Sequence, residues 1–256
     1  MIKNFFITHP IHKKIVKYFD IFFLLRPTLY FSVWVMIAIG MYSAQNHLYT
    51  YPIWISDLSY QTLFLFLGIT LVCSSTFILN QIEDVKSDKI NGKLFLVGKY
   101  FEIEKSLFIS KILLCLGLII SFFANFFVIF FAILIYYIWG ILYSSKPYNW
   151  KKKPILGWIS NILIGKILFM IGWCFTLYNS NINISYYSPQ LLIIILPYLL
   201  CFSAVSLLSM LPDVKGDLIN GDQTFPIVYG EKTTKSISLF LVLFAFILSL
   251  INIDPV

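Results

Sequence analysis

Acid is scarce in this chain: Asp and Glu number twelve among 256 residues, and charged residues make up only 12%. Arginine occurs once, at position 26, and histidine three times. With 59% hydrophobic residues and a mean hydropathy of +0.84, the composition excludes a soluble globular domain. The cysteines, Cys73, Cys115, Cys174 and Cys201, each stand alone inside an apolar segment. That spacing excludes a disulfide framework or a thiolate metal site and reads as small apolar packing. His9 and His12 lie in a basic N-terminal segment and His47 in a loop, with no third ligand in view, so all three read as surface residues. The alternating pattern of a membrane β-barrel is missing too.

What is present is long apolar runs. Seven fall near 20–42, 60–82, 105–122, 124–144, 155–178, 190–212 and 234–252. Runs of about eighteen residues suffice to cross a hydrocarbon core of roughly 30 Å as helices. The third and fourth are parted only around Asn125, which predicts a tight helical hairpin. The fold class is all-α: a polytopic membrane helical bundle, read as one integral-membrane domain over 1–256.

Lysine gives the orientation. Lys3, Lys13, Lys14 and Lys17 precede the first span; Lys86, Lys89, Lys93 and Lys99 follow the second. Lys146 and 151–153 follow the fourth, and Lys215, Lys232 and Lys235 the sixth, whereas the opposite loops, 43–59 and 179–189, carry no Lys or Arg. The positive-inside rule puts the N-terminus and all these loops in the cytoplasm. The net charge of +7 then describes a basic membrane face suited to lipid headgroups or a phosphorylated substrate, and not to nucleic acid. Residues 1–19, with Phe5, Phe6, Ile11, Ile15 and Phe19 among lysines, read as an amphipathic lead-in on the membrane surface. They do not read as a cleavable signal peptide.

The scarce acid is gathered at two points. Residues 84–93 read Asp-Val-Lys-Ser-Asp-Lys-Ile-Asn-Gly-Lys, and residues 213–222 read Asp-Val-Lys-Gly-Asp-Leu-Ile-Asn-Gly-Asp; seven of ten positions agree. Glu83, Asp84, Asp88, Asp213, Asp217 and Asp222 are half of all the acids in the chain. Asn80, Asp84 and Asp88 are spaced i, i+4, i+8, within about 80° of arc on a helix. Carboxylates converging this closely repel unless a cation sits between them. Mg²⁺ fits, because it takes hard oxygen ligands from a few carboxylates and shares its shell with phosphate oxygens. A single Asp-x-x-x-Asp is usually an ordinary solvated helix end; two copies at corresponding span ends favour a metal–diphosphate site. The copies lie 129 residues and four spans apart, so a tandem pair of helical blocks would bring both to one cavity mouth. Convergence on a common ligand is the alternative.

Other residues join the same face. Arg26 either snorkels to headgroups or makes a bidentate phosphate contact. The stretch 143–154, Tyr-Ser-Ser-Lys-Pro-Tyr-Asn-Trp-Lys-Lys-Lys-Pro, is either a sorting signal or a cationic clamp for diphosphate. Lys166, deep in the fifth span, is a functional candidate by position. Gly157, Gly165 and Gly172 permit close helix packing there. Tyr136, Tyr137, Trp139 and Tyr143 are either core residues or the wall of an isoprenoid pocket whose π faces stabilise a carbocation.

Asn80-x-x-x-Asp84-x-x-x-Asp88 resembles the first aspartate-rich motif of the UbiA-type intramembrane prenyltransferases. Leu211-Pro212-Asp213-Val214-Lys215-Gly216-Asp217, with Gly221, Thr224, Pro226 and Gly230, is similar to their second motif and its tail. Arg26-Pro27 resembles their opening Arg-Pro. Tyr143-Ser144, Lys146-Pro147, Lys153-Pro154, Gly157, Asn161 and Gly165 resemble their segment between the fourth and fifth helices. The resemblance covers nearly the whole chain in order. It implies a helical bundle around a central cavity open to the membrane, with the active site on the cytoplasmic side. Asp84, Asp88, Asp213 and Asp217 would be the catalytic acids, binding Mg²⁺ that holds the diphosphate of a polyprenyl donor. Asn80, Arg26, Lys93, Tyr143, Ser144, Lys146, Lys153 and Lys215 would bind substrate, the cations stabilising the leaving group. Ionisation would give an allylic carbocation, attacked by a lipophilic or aromatic acceptor within the membrane lipids; nucleic acid is not a partner.

Two features depart from the family pattern. After Asn91 the chain reads Gly-Lys-Leu-Phe-Leu-Val-Gly, without the family's Arg-Pro, leaving Lys93 as the substitute. Seven spans are visible where the family has nine, so the expectation is a fragment or a shortened form lacking the last two helices. Two rival readings follow: a truncated, inactive homologue with a binding role, and a cation-coupled transporter. The second is disfavoured by acids at span ends and not at the midplane.

Overall fold

The computed structural model describes residues 18–48, 59–91, 96–98, 100–180 and 189–252. A helical segment at 18–24 leads through a 3-10 turn, Pro27–Leu29, into α1 (Tyr30–Leu48). Next come α2 (Tyr60–Ile90), α3 (Ile103–Ala124) and α4 (Phe126–Ile135), which continues as a π-helix, Tyr136–Ser144. A 3-10 turn, Trp150–Lys152, precedes α5 (Pro154–Asn179) and α6 (Pro189–Ser209). After another 3-10 turn, Leu211–Asp213, come α7 (Val214–Asn220), α8 (Phe225–Tyr229) and α9 (Glu231–Asn252). Among the described residues, seven helices are long and apolar enough to cross a membrane, as the apolar runs predict.

Local chemistry explains the boundaries. Ser59 Oγ accepts from the Thr62 N–H at 3.2 Å and starts α2. Asn125 makes the predicted hairpin: extended itself, it ends α3, and its Oδ1 caps α4 by accepting from the Val128 N–H at 3.0 Å. Pro154 opens α5, where no intrahelical N–H is needed.

Between membrane helices there is little hydrophobic driving force, so close backbone approach and interhelical hydrogen bonds carry the association. α1 packs on α5 through Gly40 and Gly172: a Cβ on Gly40 would run into the Phe169 carbonyl, and one on Gly172 into the Ile37 carbonyl. Gly165 likewise admits the Phe202 ring of α6, and Gly157 the backbone of Trp150 and Lys151. Ser75 and Ser110 join α2 to α3 at 2.9 Å, and Tyr30 and Ser74 join α1 to α2 at 2.6 Å. The buried core holds Phe169, Trp173 and Ile37, while the outward surface carries exposed Phe31, Phe126 and Ile251.

The fold corrects the reading of Lys166. It is exposed, on the same outward stripe of α5 as Ile155, Ile159 and Leu163, because the helix phase that turns Gly165 and Phe169 inward carries position 166 away. The expected amphipathic lead-in lies outside the described residues apart from 18 and 19, and His9 and His12 lie outside them entirely.

Candidate active site

The two acidic copies meet, on different backbones. The first continues straight down α2 to Ile90. The second breaks, because Pro212 stands where the first copy has Glu83 and cannot donate to a helical ladder. The chain there turns through Leu211–Asp213, makes the short α7, and stops at Gly221, whose φ of 73° suits glycine.

The end of α2 carries α7 on two side chains. Asn91 Oδ1 accepts from the Gly216 N–H at 2.7 Å, and Asn91 Nδ2 donates to the Asp213 carbonyl at 3.3 Å. Ser87 Oγ donates to Asp217 Oδ1 at 2.9 Å. Contact is close enough that a Cβ on Gly216 would lie 2.5 Å from Asn91 Nδ2 and 2.7 Å from the Ser87 carbonyl. This accounts for Gly216 where the first copy has Ser87.

Asp84, Asp213, Asp217 and Asp222 line one polar cavity of about 110 Å³, together with Asn80, Lys151 and Lys152. The ammonium of Lys151, a residue only 9% exposed, donates to Asp84 Oδ1 at 2.6 Å and to Asn80 Oδ1 at 3.1 Å. Lys152 pairs with Asp222 Oδ1 at 2.6 Å, and its carbonyl accepts from the Gln223 N–H at 3.2 Å.

A second cavity, about 270 Å³, adjoins the first and shares Asn80, Tyr143, Ser209 and Asp213 with it. Its wall adds Arg26, Phe77, Trp139, Ser144 and Asn161. Phe77 and Trp139 pack with ring centroids 5.6 Å apart, and the Trp139 indole donates to Asn161 Oδ1 at 2.9 Å. The π-helix shapes this wall: its five-residue closure brings Ser144 back under Trp139, and Ser144 Oγ donates to the Trp139 carbonyl at 2.7 Å. Trp139, Tyr143 and Ser144 therefore all line the cavity.

The expected site residues divide. Asn80, Asp84, Asp213, Asp217, Tyr143, Ser144 and Arg26 line one or both cavities. Asp88 lines neither; it is 5% exposed and accepts from Arg26 Nη2 at 3.2 Å. The rotation of about 80° accumulated over i to i+8 is enough to send the third residue of the expected face to a neighbouring element. Arg26 has a φ of 53°, unusual for a residue with a side chain. Lys146, Lys153 and Lys215 are exposed and line neither cavity. Lys93 lies outside the described residues. Of the four aromatics, Trp139 and Tyr143 face the cavity, Tyr136 packs on the core, and Tyr137 is exposed.

Sequence reasoning missed Ser87, Asn91 and Ser209; it named Lys151 and Lys152 only within the 143–154 clamp and Asp222 only among the acids of the second copy. The repeat itself carried a signal for all three missed residues. Ser87 and Asn91 lie within the first copy, and Ser209 stands 129 residues from Asn80, the same offset as Asp213 from Asp84.

Among the described residues no three of His, Cys, Asp and Glu form a ready-made metal site. The donor set nonetheless fits Mg²⁺, being hard oxygen throughout: the Asn80 amide and four carboxylates around one small cavity. Mg²⁺ needs only one or two of these, since it keeps waters and takes phosphate oxygens.

Fold and site define a polytopic membrane protein with an acidic, lysine-countered pocket beside a larger cavity lined by both aromatic and polar residues. Residues 33–254 match the UbiA prenyltransferase family, and the chain belongs to it. It is an integral membrane protein. A UbiA homolog from Archaeoglobus fulgidus bound to GPP and Mg²⁺ superposes with a TM-score of 0.70 at 17% identity, over 88% of this chain and 74% of that one. The same homolog bound to DMAPP and Mg²⁺ gives 0.69 at 16% identity, with the same coverage. A structure described as digeranylgeranylglyceryl phosphate synthase gives 0.61 at 24% identity, over 93% and 76%. The digeranylgeranylglyceryl phosphate synthase of Methanobrevibacter smithii is 31% identical over 109 residues, 40% of this chain and 34% of that protein. The match thus spans about a third of that relative.

Proposed function

We propose that this chain is a prenyltransferase that moves a polyprenyl group from a polyprenyl diphosphate to a lipophilic or aromatic acceptor within the membrane. The observation that carries the reading is the junction of the two cavities, which share four lining residues: one is small, acidic and lysine-countered, the other larger and walled by Phe77 and Trp139. A diphosphate head suits the first and an apolar tail the second. Bound Mg²⁺ would supply Lewis-acid neutralisation of the departing diphosphate.

The chain's own residues do the rest. Asp84, Asp213, Asp217 and Asn80 provide hard oxygens for the cation, in a pocket whose four carboxylates outnumber the two ammoniums of Lys151 and Lys152. Arg26, paired with Asp88 at 3.2 Å, lines the larger cavity and offers its guanidinium as a hydrogen-bond donor to phosphate oxygens. When the allylic C–O bond breaks, the electron pair leaves with the diphosphate, whose charge the lysines and Arg26 stabilise. The π faces of Trp139, Phe77 and Tyr143 flank the resulting cation. The acceptor's carbon or oxygen supplies the new bond's electron pair and releases a proton. The lysine distribution supports placing the N-terminus and both acidic copies in the cytoplasm.

The test is Mg²⁺-dependent diphosphate release by the purified protein from donors of graded length. Acceptors would include an aromatic acid and a prenylated glyceryl phosphate, the latter chosen because two relatives are named for such a product. Release that needs Mg²⁺, an acceptor and Asp84 supports the reading. Failure to bind any donor overturns it.

A further inference from the structure

The mechanism leaves the resting partners of the acids unexplained. Lys151 and Lys152 are neighbours on one 3-10 turn, and that turn delivers one ammonium to each acidic copy. Lys151 reaches Asp84 at 2.6 Å and Asn80 at 3.1 Å; Lys152 reaches Asp222 at 2.6 Å. The carboxylate and the carboxamide oxygen that converge on Lys151 are the pair that the first copy offers to a divalent cation in this cavity.

We propose that Lys151 is the resting counter-ion of the Asp84–Asn80 pair and is exchanged on donor binding, so that the site takes its donor as a metal–diphosphate complex and not as free metal followed by diphosphate. The inference rests on the proposed function. An ammonium and a divalent cation on the same two oxygens repel each other, so a free metal ion must displace a nearly buried lysine from the two oxygens that hold it. A metal ion arriving with diphosphate removes that obstacle. The ammonium moves from Asp84 to a phosphate oxygen while the metal takes the carboxylate, and every charge stays paired. Lys152 and Asp222 repeat the arrangement at the second copy. The Gln223 N–H donates to the Lys152 carbonyl at 3.2 Å and ties the turn to that motif. By linkage, diphosphate and metal each raise the other's affinity by the same factor.

The test measures Mn²⁺ binding to the full chain in detergent micelles by loss of the free-ion EPR signal, with and without inorganic pyrophosphate. In the native protein pyrophosphate is expected to tighten Mn²⁺ binding about tenfold or more, within the usual range for coupled ligands. Lys151→Met is expected to bind Mn²⁺ alone about tenfold more tightly than the native chain and to lose most of the pyrophosphate gain. Lys151→Gln carries the same expectation should the Met variant not fold. Lys151→Arg keeps the weak metal-alone binding, and exposed Lys235→Met changes nothing. If pyrophosphate promotes Mn²⁺ binding in the native chain but Lys151→Met and Lys151→Gln bind metal alone no better than it does, exchange is overturned and the diphosphate site stands. If native protein binds no Mn²⁺ even with pyrophosphate, both fall.

Discussion

Asn91 holds the second acidic copy by its backbone, accepting from the Gly216 N–H at 2.7 Å and donating to the Asp213 carbonyl at 3.3 Å. A side chain of the first copy thereby fixes where the carboxylates of the second stand. The relation runs one way, since the corresponding Asn220 of the second copy is exposed. Asn91→Ala leaves that backbone unsupported, at a cost of about 1–3 kcal/mol for the unmet groups. A displacement of about 1 Å at the carboxylates is expected to lower turnover by about 10²-fold. Gly216→Ala is expected to be worse, because its Cβ would lie 2.5 Å from Asn91 Nδ2. Diphosphate release and thermal unfolding check both. Native-like turnover in Gly216→Ala would show that α7 does not need this register.

Asp84 and Asp88 are expected to behave differently although they sit one helical turn apart. Asp84→Asn and Asp217→Asn remove cavity carboxylates and should abolish metal-dependent release while membrane insertion persists. Asp88→Asn acts through Arg26. It should weaken donor binding, and Arg26→Lys should do the same, because a bidentate guanidinium is what Asp88 orients. The double variant is expected to lose little more than either single one, with a coupling of about 0.5–3 kcal/mol in a donor-affinity cycle. Additive losses would separate the two residues.

The spans were legible because apolar runs need only length to announce a membrane helix, and the Asn125 hairpin because one polar residue interrupted two such runs. The repeat disclosed the acids. It did not disclose their directions, since the i, i+4, i+8 spacing places Asp88 near Asp84 and says nothing of the arginine waiting on another element. Periodicity failed at Lys151, Lys152 and Lys153 because the first two occupy a 3-10 turn after Asn149, itself at a φ of 43°, and the third is its extended cap, so no helical phase predicts which of three consecutive lysines turn inward. The π-helix was equally hidden. The segment packs against α2 and α5, and its extra residue per turn has no local signature in the sequence. Lys166 shows the converse failure: a charge within an apolar span is conspicuous in sequence, yet only helix phase decides whether it meets a cavity.

α1 and α5 approach closely enough at Gly40 and Gly172 that a single methyl group meets backbone and not a flexible side chain. Overpacking of this kind typically costs about 1–3 kcal/mol. Gly172→Ala and Gly40→Ala are therefore expected to lower the melting temperature in detergent and the folded yield, with donor affinity unchanged in the molecules that fold. A melting temperature equal to that of the native chain would contradict this packing.

The Trp139 indole makes two contributions that substitution can separate. Its N–H bonds Asn161 at 2.9 Å, and its ring packs on Phe77 at the wall of the larger cavity. Trp139→Phe keeps a ring and leaves the Asn161 oxygen unpaired, which should cost about 1–3 kcal/mol of stability and leave donor preference intact. Trp139→Ala also removes the wall. It should shift preference towards longer or bulkier prenyl chains, and it should lower turnover with the native substrate because a π face beside the developing cation is lost. Competition between donors of graded length, scored by product ratio, reads the shift directly. If the ratio stays the same in Trp139→Ala, the prenyl chain does not run against this wall, and the tail must leave the acidic pocket by another side of the bundle.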